Sequence, residues 1–594
     1  VNGHSRYAIG VDFGTESARA LLVDCADGQE LATAVYPYRN GVIDEHLPEP
    51  HEHVRLEPDW ALQDPEDYLR TFAATVPALL AETGVDPADV IGVGIDFTSC
   101  TMLPTLRDGT PLCLLEELRH EPHAWVKLWK HHAAQPEADR INEVAAERRE
   151  PWLARYGGKI SSEWFFAKAL QILHEAPGVY ERAERLIEAA DWVVWQLTGV
   201  ETRNTCTAGY KAMWSKSDGF PADAYFAALQ PRFEHVVDEK MSRRIVPIGS
   251  LAGGLDARAA AWTGLRPGTA VAVANVDAHV SVPAATVTEP GTMVAIMGTS
   301  ICHMVLGDRL ATVDGICGVV EDGIVPGLYG YEAGQSAVGD IFAWFAESAV
   351  PPETHEAAQR RGVGVLALLE EEAATLRPGE SGLLALDWWN GNRSVLVDAD
   401  LRGLLVGMTL ATRARDIYRA LIEATAFGTR VILDALEAAG VPVRGIVACG
   451  GLPERSRLLM QIYADATGRE FAVAASRQTP ALGAAMFGAV AAGAGQGGYD
   501  SILDASRQMA HLGPDRYRPT DAHRAVYDEL YREYVRLHDL FGRGGDDVMR
   551  TLKAVQRTAS EAPASPGDLT GNVTGHITSS SAVTRERRSR SRRR

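Results

Sequence analysis

The sequence has no G-x-x-x-x-G-K-[ST] loop, no H-E-x-x-H pair and no G-x-S-x-G elbow. Those absences remove P-loop nucleotide enzymes, zincin-type proteases and nucleophile-elbow hydrolases from consideration. Cysteine is scarce. The seven residues Cys25, Cys100, Cys113, Cys206, Cys302, Cys317 and Cys449 are scattered, odd in number, and form no C-x-x-C. A disulfide framework or structural zinc is not expected, and a reducing cytoplasm is the expected compartment. No window approaches the ~20 apolar residues needed to cross a bilayer. Residues 1–6 lead into a strand pattern without the apolar stretch of a signal peptide. Positive charge is also in deficit: 58 Lys and Arg against 78 Asp and Glu give a net charge of −20. Such a surface repels nucleic acid and anionic membranes, but local amides and one metal ion can still take a triphosphate.

What is there is enough for more than one core. A chain of 594 residues, 46% of them hydrophobic, implies about two domains. Tyr7-Ala8-Ile9-Gly10-Val11 reads as a strand, Gly14-Thr15-Glu16-Ser17 as a turn, and Ala20 to Val23 as a second strand. Helical spacing runs from Asp64 to Glu82 and stops at Gly84, and Val90 to Phe97 is a buried strand. Glu163 to Gln196 reads as helical, its aromatics as core. Near residue 270 the pattern restarts. Ala270 to Ala274 is a strand running into Asn275-Val276-Asp277, and Met293 to Met297 and Ile301 to Leu306 flank Gly298-Thr299-Ser300. This weak internal repeat, at nearly half the chain length, implies two related α/β domains facing each other. Later come a helix from Arg413 to Ala438, a strand Ile446 to Cys449 ending in Gly450-Gly451, and a helix Arg457 to Thr467. An Ala-rich helix, Ala481 to Ala492, is able to pack very closely. The Gly493 to Gly498 G-x-G-x-x-G follows that helix rather than a strand, so it reads as a loop. The Ser/Arg-rich tail, placed at 551–594, is expected to be disordered.

The two hairpins carry the chemistry. Gly gives the backbone angles a phosphate cradle needs, and Thr and Ser give hydroxyls without bulk. Asp12, at the end of the first strand, is placed to hold Mg2+ against the phosphates. Gly450-Gly451 at a strand-to-helix corner would let an adenosine lie on the backbone. Asp277, before the second hairpin, is the candidate base for phosphoryl transfer to an alcohol, with His279 as the alternative. Each feature alone is also an ordinary turn or strand end. Together they describe a cleft that grips something phosphorylated from two sides.

With those residues in hand, the chain resembles the FGGY carbohydrate kinases over about residues 7–545. The matching segments include Gly10 to Ser17, Gly94 to Pro104, His123 to Lys130, Ala208 to Trp214, Asn275 to His279, Gly330 to Ser336, Gly450 to Pro453 and Leu459 to Asp465. The resemblance implies two RNase-H-like domains of the actin, hexokinase and heat-shock ATPase superfamily, at 1–283 and 284–550, with ATP and sugar in the cleft between them. It implies that Asp277 is the base and that Ser99, Trp125, Lys211, Asp277 and Glu332 meet the sugar. Asp12, Gly14, Thr15, Glu16, Gly298, Thr299, Ser300, Gly339, Gly450, Gly451 and Ser456 would meet MgATP. Two positions depart from the pattern. Ser99 stands where family members acting on ribulose usually carry alanine, and Ser456 stands where asparagine is frequent. Thr98-Ser99-Cys100 matches neither the Arg-Glu of glycerol kinases nor the Gln-Met-His of xylulokinases. The implied reaction is therefore phosphorylation of ribulose at its 5-hydroxyl, in L-arabinose catabolism. D-Ribulose, ribitol and xylulose are alternative acceptors, and an actin-like ATPase switch is the alternative of another class. Sugar and MgATP are the expected partners and a homodimer the allowed assembly; nucleic acid and membrane are not expected.

Overall fold

The computed structural model describes residues 5–561. The described residues up to Asp546 form one compact unit, and the helix Val548–Glu561 belongs to a second. With strands numbered in chain order, the first large sheet contains β1 (Tyr7–Phe13), β2 (Ser17–Asp24), β3 (Glu30–Pro37), β5 (Val90–Phe97), β9 (Leu251–Gly254), β10 (Ala270–Ala272) and β11 (Asn275–Val276). Its order is β3-β2-β1-β5-β10-β9, with β11 also on β5. The second contains β12 (Thr292–Met297), β13 (Ile301–Gly307), β14 (Gly318–Glu321), β15 (Tyr329–Gln335), β18 (Gly445–Cys449), β19 (Glu470–Ala474) and β20 (Leu512–Tyr517), ordered β14-β15-β13-β12-β18-β19-β20. In each sheet a hairpin is flanked by an antiparallel strand on one side and a parallel strand on the other. The internal repeat read from the two Gly-Thr hairpins is thus a repeat of sheet topology.

A four-stranded antiparallel sheet joins β4 (Leu62–Gln63), β6 (Met102–Thr105), β7 (Val126–Lys127) and β8 (Arg185–Glu188). A small hairpin pairs β16 (Leu384–Leu386) with β17 (Leu404–Val406). The long helix expected over Glu163 to Gln196 is a correction. The chain forms helices Phe165–Glu175, Pro177–Arg182 and Ala189–Thr198, with β8 between the last two. Pro177 starts a new helix instead of continuing the first, and buried Leu186 and Ile187 pair with β6. The start of the expected disordered tail is ordered instead, because Val548–Glu561 is helical. Val548, Leu552 and Val555 fall at i, i+4 and i+7, an apolar stripe that a composition-based reading passed over. The rest of the expected disordered tail, with its Arg/Ser run, lies outside the described residues. Among those described, no helix is long and apolar enough to cross a membrane.

The Ala-rich helix Thr479–Ala492 packs against β1, β5 and β10, in the half of the chain remote from it in sequence. Gly10 on β1 and Gly92 and Gly94 on β5 permit this. A methyl added at any of them would overlap a carbonyl oxygen of the helix, at Ala481, Gly488 and Ala484 respectively. The helix Asp277–Ala284 meets the same Ala-rich helix at Gly483, where a methyl would overlap the Val280 carbonyl. Backbone therefore lies on backbone, with none of the gap that side chains would impose. Gly94→Ala must push helix from sheet, and we expect it to lower unfolding free energy by about 3 kcal/mol, read from urea denaturation. A loss under about 0.5 kcal/mol, the range of neutral surface changes, would show that this contact does not limit stability.

Candidate functional site

The parallel register sets the first part of the site. Asp12 on β1 lies opposite Asp96 on β5, and Asp96 lies opposite Asn275 on β11. Asp277 follows β11 directly as the first residue of the helix Asp277–Ala284. On the other side, Asp12 faces Arg19 of β2, whose Nε lies 3.4 Å from Asp12 Oδ2. Arg19 Nη1 also donates to Gln478 Oε1 at 3.1 Å, just before the Ala-rich helix.

Negative charge is crowded here. Burial raises the Asp12 carboxyl above the usual range, and Arg19 only partly opposes this. Asp96 is fully buried, and its side-chain polar partner is the neighbouring Asp12 carboxyl. Burial first, then the charges of Asp12 and Asp277, push it well above the carboxylate range. Asp277 is pushed up to about 7, by burial and then by Asp12, although the Ala278 amide donates to its Oδ1 at 2.6 Å. Among the described residues no group of three His, Cys, Asp or Glu forms a ready-made metal nest.

Two loops face this row. In the first hairpin the Gly14 amide donates to the Ser17 carbonyl at 3.0 Å. The carbonyls of Gly14, Thr15 and Glu16 are held by the Tyr38 hydroxyl, Gln63 Nε2 and the Tyr38 amide. Trp129 Nε1 donates to Thr15 Oγ1 at 3.0 Å. In the second, Gly298 donates to the Ser300 carbonyl at 2.9 Å, and the amides of Val338 and Gly339 donate to the carbonyls of Thr299 and Gly298. Gly450, at φ 93°, lies against the Met297 carbonyl, where a methyl would clash. Gly298, Thr299, Ser300, Gly339 and Gly450 are therefore brought together, and Gly451 opens the next short helix. Ser456 has another task here. Its Oγ caps the helix Arg457–Thr467 by accepting from the Leu459 amide at 3.0 Å.

The remaining residues centre on Glu332 of β15. Lys211 Nζ lies 2.9 Å from both of its carboxylate oxygens. Arg393 Nη2 donates to Oε1 at 3.0 Å, and His279 Nε2 is 3.5 Å from Oε2. Burial opposes the charge on Glu332, but Lys211, with His279 and Arg393, outweighs it and holds the carboxyl far below the usual range. Burial likewise opposes the charge on Lys211, and Glu332 reverses this and raises it. His279 is buried against the Tyr210 ring, and burial lowers its pKa, so it stays neutral. Ser99 adjoins Cys100, which feels the Lys211 charge. Trp125 is not drawn into this polar group. It is buried in the neighbouring core, and its indole N–H donates to the Arg119 carbonyl at 3.0 Å. Trp164 and Tyr210 are the aromatics that meet Lys211, 5.6 and 6.0 Å from ammonium to ring centroid.

Sequence reasoning missed Arg19, Asp96, Trp129 and Arg393. Asp96 and Trp129 lay in segments already singled out. Only strand register, for the first, and a 114-residue separation from Thr15, for the second, give them their place.

The two large sheets thus repeat one design, each carrying a Gly-Thr hairpin beside a parallel strand. Residues 7–282 match the FGGY family of carbohydrate kinases, N-terminal domain, and 293–492 match its C-terminal domain. The chain belongs to the FGGY family of carbohydrate kinases and is a sugar phosphotransferase. It is 60% identical over 554 residues to a ribulokinase of Anoxybacillus flavithermus, covering 93% of this chain and 98% of that one. It is 52% identical over 558 residues to a ribulokinase of Mycolicibacterium smegmatis, covering 94% and 98%. Among solved structures, a xylulose kinase from Rhodospirillum rubrum superimposes with a TM-score of 0.73 at 24% identity, over 90% of this chain and 98% of that one. The expected two-domain, actin- and hexokinase-like fold is the one found.

Because Glu332 neutralises a buried ammonium, Glu332→Gln should cost about 3–5 kcal/mol. Replacing Lys211 and Glu332 together by Met and Leu should cost less than the sum of the single changes. Urea unfolding of the four-member mutant cycle measures this, and additive losses would show that the pair does not act as a unit.

Proposed function

We propose that this chain transfers the γ-phosphoryl group of MgATP to the 5-hydroxyl of ribulose, giving ribulose 5-phosphate and ADP. The acceptor rests on the relatives named ribulokinase, at up to 60% identity over nearly their whole length. The chemistry rests on one observation: Asp277 is the carboxylate of the row that is partly open to the cleft and raised to about 7. Such a group accepts a hydroxyl proton near neutral pH as the phosphoryl bond forms. His279, the other candidate base, is buried and turned toward Glu332.

In this reading Gly14 and Thr15, with Glu16, and Gly298, Thr299 and Ser300, with Gly339, hold the phosphates from opposite sides. The Gly14, Gly298 and Gly339 amides close the turns, and the hydroxyls of Thr15, Thr299 and Ser300 are the groups offered to the anion. Gly450 and Gly451 receive the adenosine. The carboxylates suit Mg2+: the Asp12 and Asp277 charges both act on buried Asp96, and a cation would relieve that crowding. Asp12 would hold the ion, which when bound neutralises phosphate charge. Arg19 beside Asp12 adds positive charge on the hairpin side. Ser99, Lys211 and Glu332 shape the sugar side. Ser456, already a helix cap, contributes to the adenosine side by fixing the helix Arg457–Thr467.

Asp277→Ala should lower kcat by a factor of about 10^3 while leaving ATP binding nearly intact. Near-wild-type turnover would sink the assignment. The acceptor is tested by ADP release across pentuloses, polyols and glycerol; glycerol or xylulose outpacing both ribulose isomers would overturn ribulose. The pH dependence has a definite sign. The base form of Asp277 is the deprotonated one, so activity is lost as pH falls through the carboxyl's pKa, about 7. With both substrates below KM, the rate should drop about tenfold per pH unit on the acid side and level off above it.

A further inference from the structure

Within the cluster around Glu332, the two residues expected to meet sugar are closed off. The Lys211 and Glu332 side chains are 2% and 3% exposed, and each holds the other. Arg393 is different: its side chain is 29% exposed. Nη2 donates to Glu332, while Nε and Nη1 donate to no protein group among the described residues. Glu332 is already matched by the Lys211 ammonium, and Glu163, whose charge also reaches the guanidinium, forms no ion pair with it among the described residues.

The position of Arg393 is built into the fold. It lies in the connection between β16 and β17, where Asn392 and Asp398 exchange two backbone hydrogen bonds of 2.9 Å, and Asn392 Oδ1 accepts from the Leu396 amide. The next residue, Ser394, accepts from the Gly334 amide through Oγ at 3.2 Å. Gly334 is two residues beyond Glu332 on β15, on the same face. A methyl at Gly334 would stand 3.2 Å from Arg393 Cδ and 3.3 Å from Nη1. Glycine at 334 therefore leaves room for the guanidinium to lie across the strand and reach Glu332.

Given the reading of the Asp277–Glu332 cleft as the sugar side, we propose that Arg393 is a sugar-contacting specificity residue, donating Nε and Nη1 to oxygens of the acceptor other than the one phosphorylated. A guanidinium offers donors only, in a planar fork, and so suits the carbonyl and hydroxyl oxygens of a ketose. Lys211 then acts behind it, keeping Glu332 ionised and in place to orient the fork.

The test is steady-state kinetics of Arg393→Ala and Arg393→Lys with the best acceptor of the wild-type enzyme. Arg393→Ala should raise the sugar KM about 30-fold, with kcat lowered less than about threefold and the KM for ATP within about twofold. Arg393→Lys, which keeps the charge but not the fork, should raise it about tenfold. Free guanidinium at about 20 mM, far below denaturing concentrations, should restore part of the sugar affinity of Arg393→Ala and none of that of Lys211→Met. A sugar KM in both Arg393 variants within about threefold of wild type would overturn the proposal. So would equal rises in both KM values without guanidinium rescue, the signature of a purely structural role. If Arg393→Ala does not fold, the sugar KM of Arg393→Lys alone decides between these outcomes. Failure of the underlying reading is distinguishable: it would appear as retained turnover in Asp277→Ala, whatever Arg393 does.

Discussion

Everything in this cleft hangs on a helix laid directly on glycine. The helix Thr479–Ala492 falls in the C-terminal family match, yet it covers β1 and β5 of the first sheet. Gly10, Gly92 and Gly94 let its carbonyls approach the strand backbones, and its own Gly483 admits the helix that begins at Asp277. An interface without side-chain filler has little slack, because displacement would open unfilled space or cause overlap. Asp12, Asp96, Asn275 and Asp277 stand at the ends of the strands so clamped. Their mutual placement is as stiff as the backbone contact beneath them. Gln478, at the head of the same helix, binds the arginine that faces Asp12.

The cleft has two electrostatic ends, made by opposite means. At the strand ends, carboxylates are concentrated with Arg19 as a partial counter-ion; burial raises all three pKa values, and repulsion adds to it for Asp96 and Asp277. That end is short of cations. At β15 one carboxylate is surrounded by Lys211, Arg393 and neutral His279, and its pKa is depressed. That end sets two cations on one carboxylate. Asp277 lies between them: burial and then the Asp12 charge raise it, and from the β15 end Glu332 raises it while Lys211 lowers it. A basic carboxylate beside a fixed array of donors is what transfer to an alcohol requires, since proton acceptance and alcohol placement need different groups.

Much of this was legible in the sequence because it is local. The hairpins, the strand Val90–Phe97, the helix Arg457–Thr467 and the double glycine follow from apolar runs, turn residues and caps within a dozen positions. Asp12 and Asp277 were legible because strand ends are visible in the same patterns. Trp129 on Thr15 and Arg393 on Glu332 were not, since 114 and 61 residues separate the partners and no periodicity reports such contacts. Asp96 sits in a segment whose strand character is plain, yet only parallel register sets it beside Asp12. Ser456 shows the limit from the other direction: its place after the double glycine suggests an adenosine contact, while the bond its Oγ makes in the fold is a helix cap.

The Glu332 cluster also bears on how a kinase avoids spending ATP on water. Lys211 comes from the N-terminal family match, and Glu332 and Arg393 from the C-terminal one. An acceptor held by Arg393 in the way proposed would touch parts of both halves at once. Water is too small to bridge them. Binding energy from sugar oxygens that do not react can then be used to complete the arrangement around Asp277, which water cannot supply. Selectivity for the sugar over water would thus arise where ionic partners from the two halves meet, rather than at the base itself.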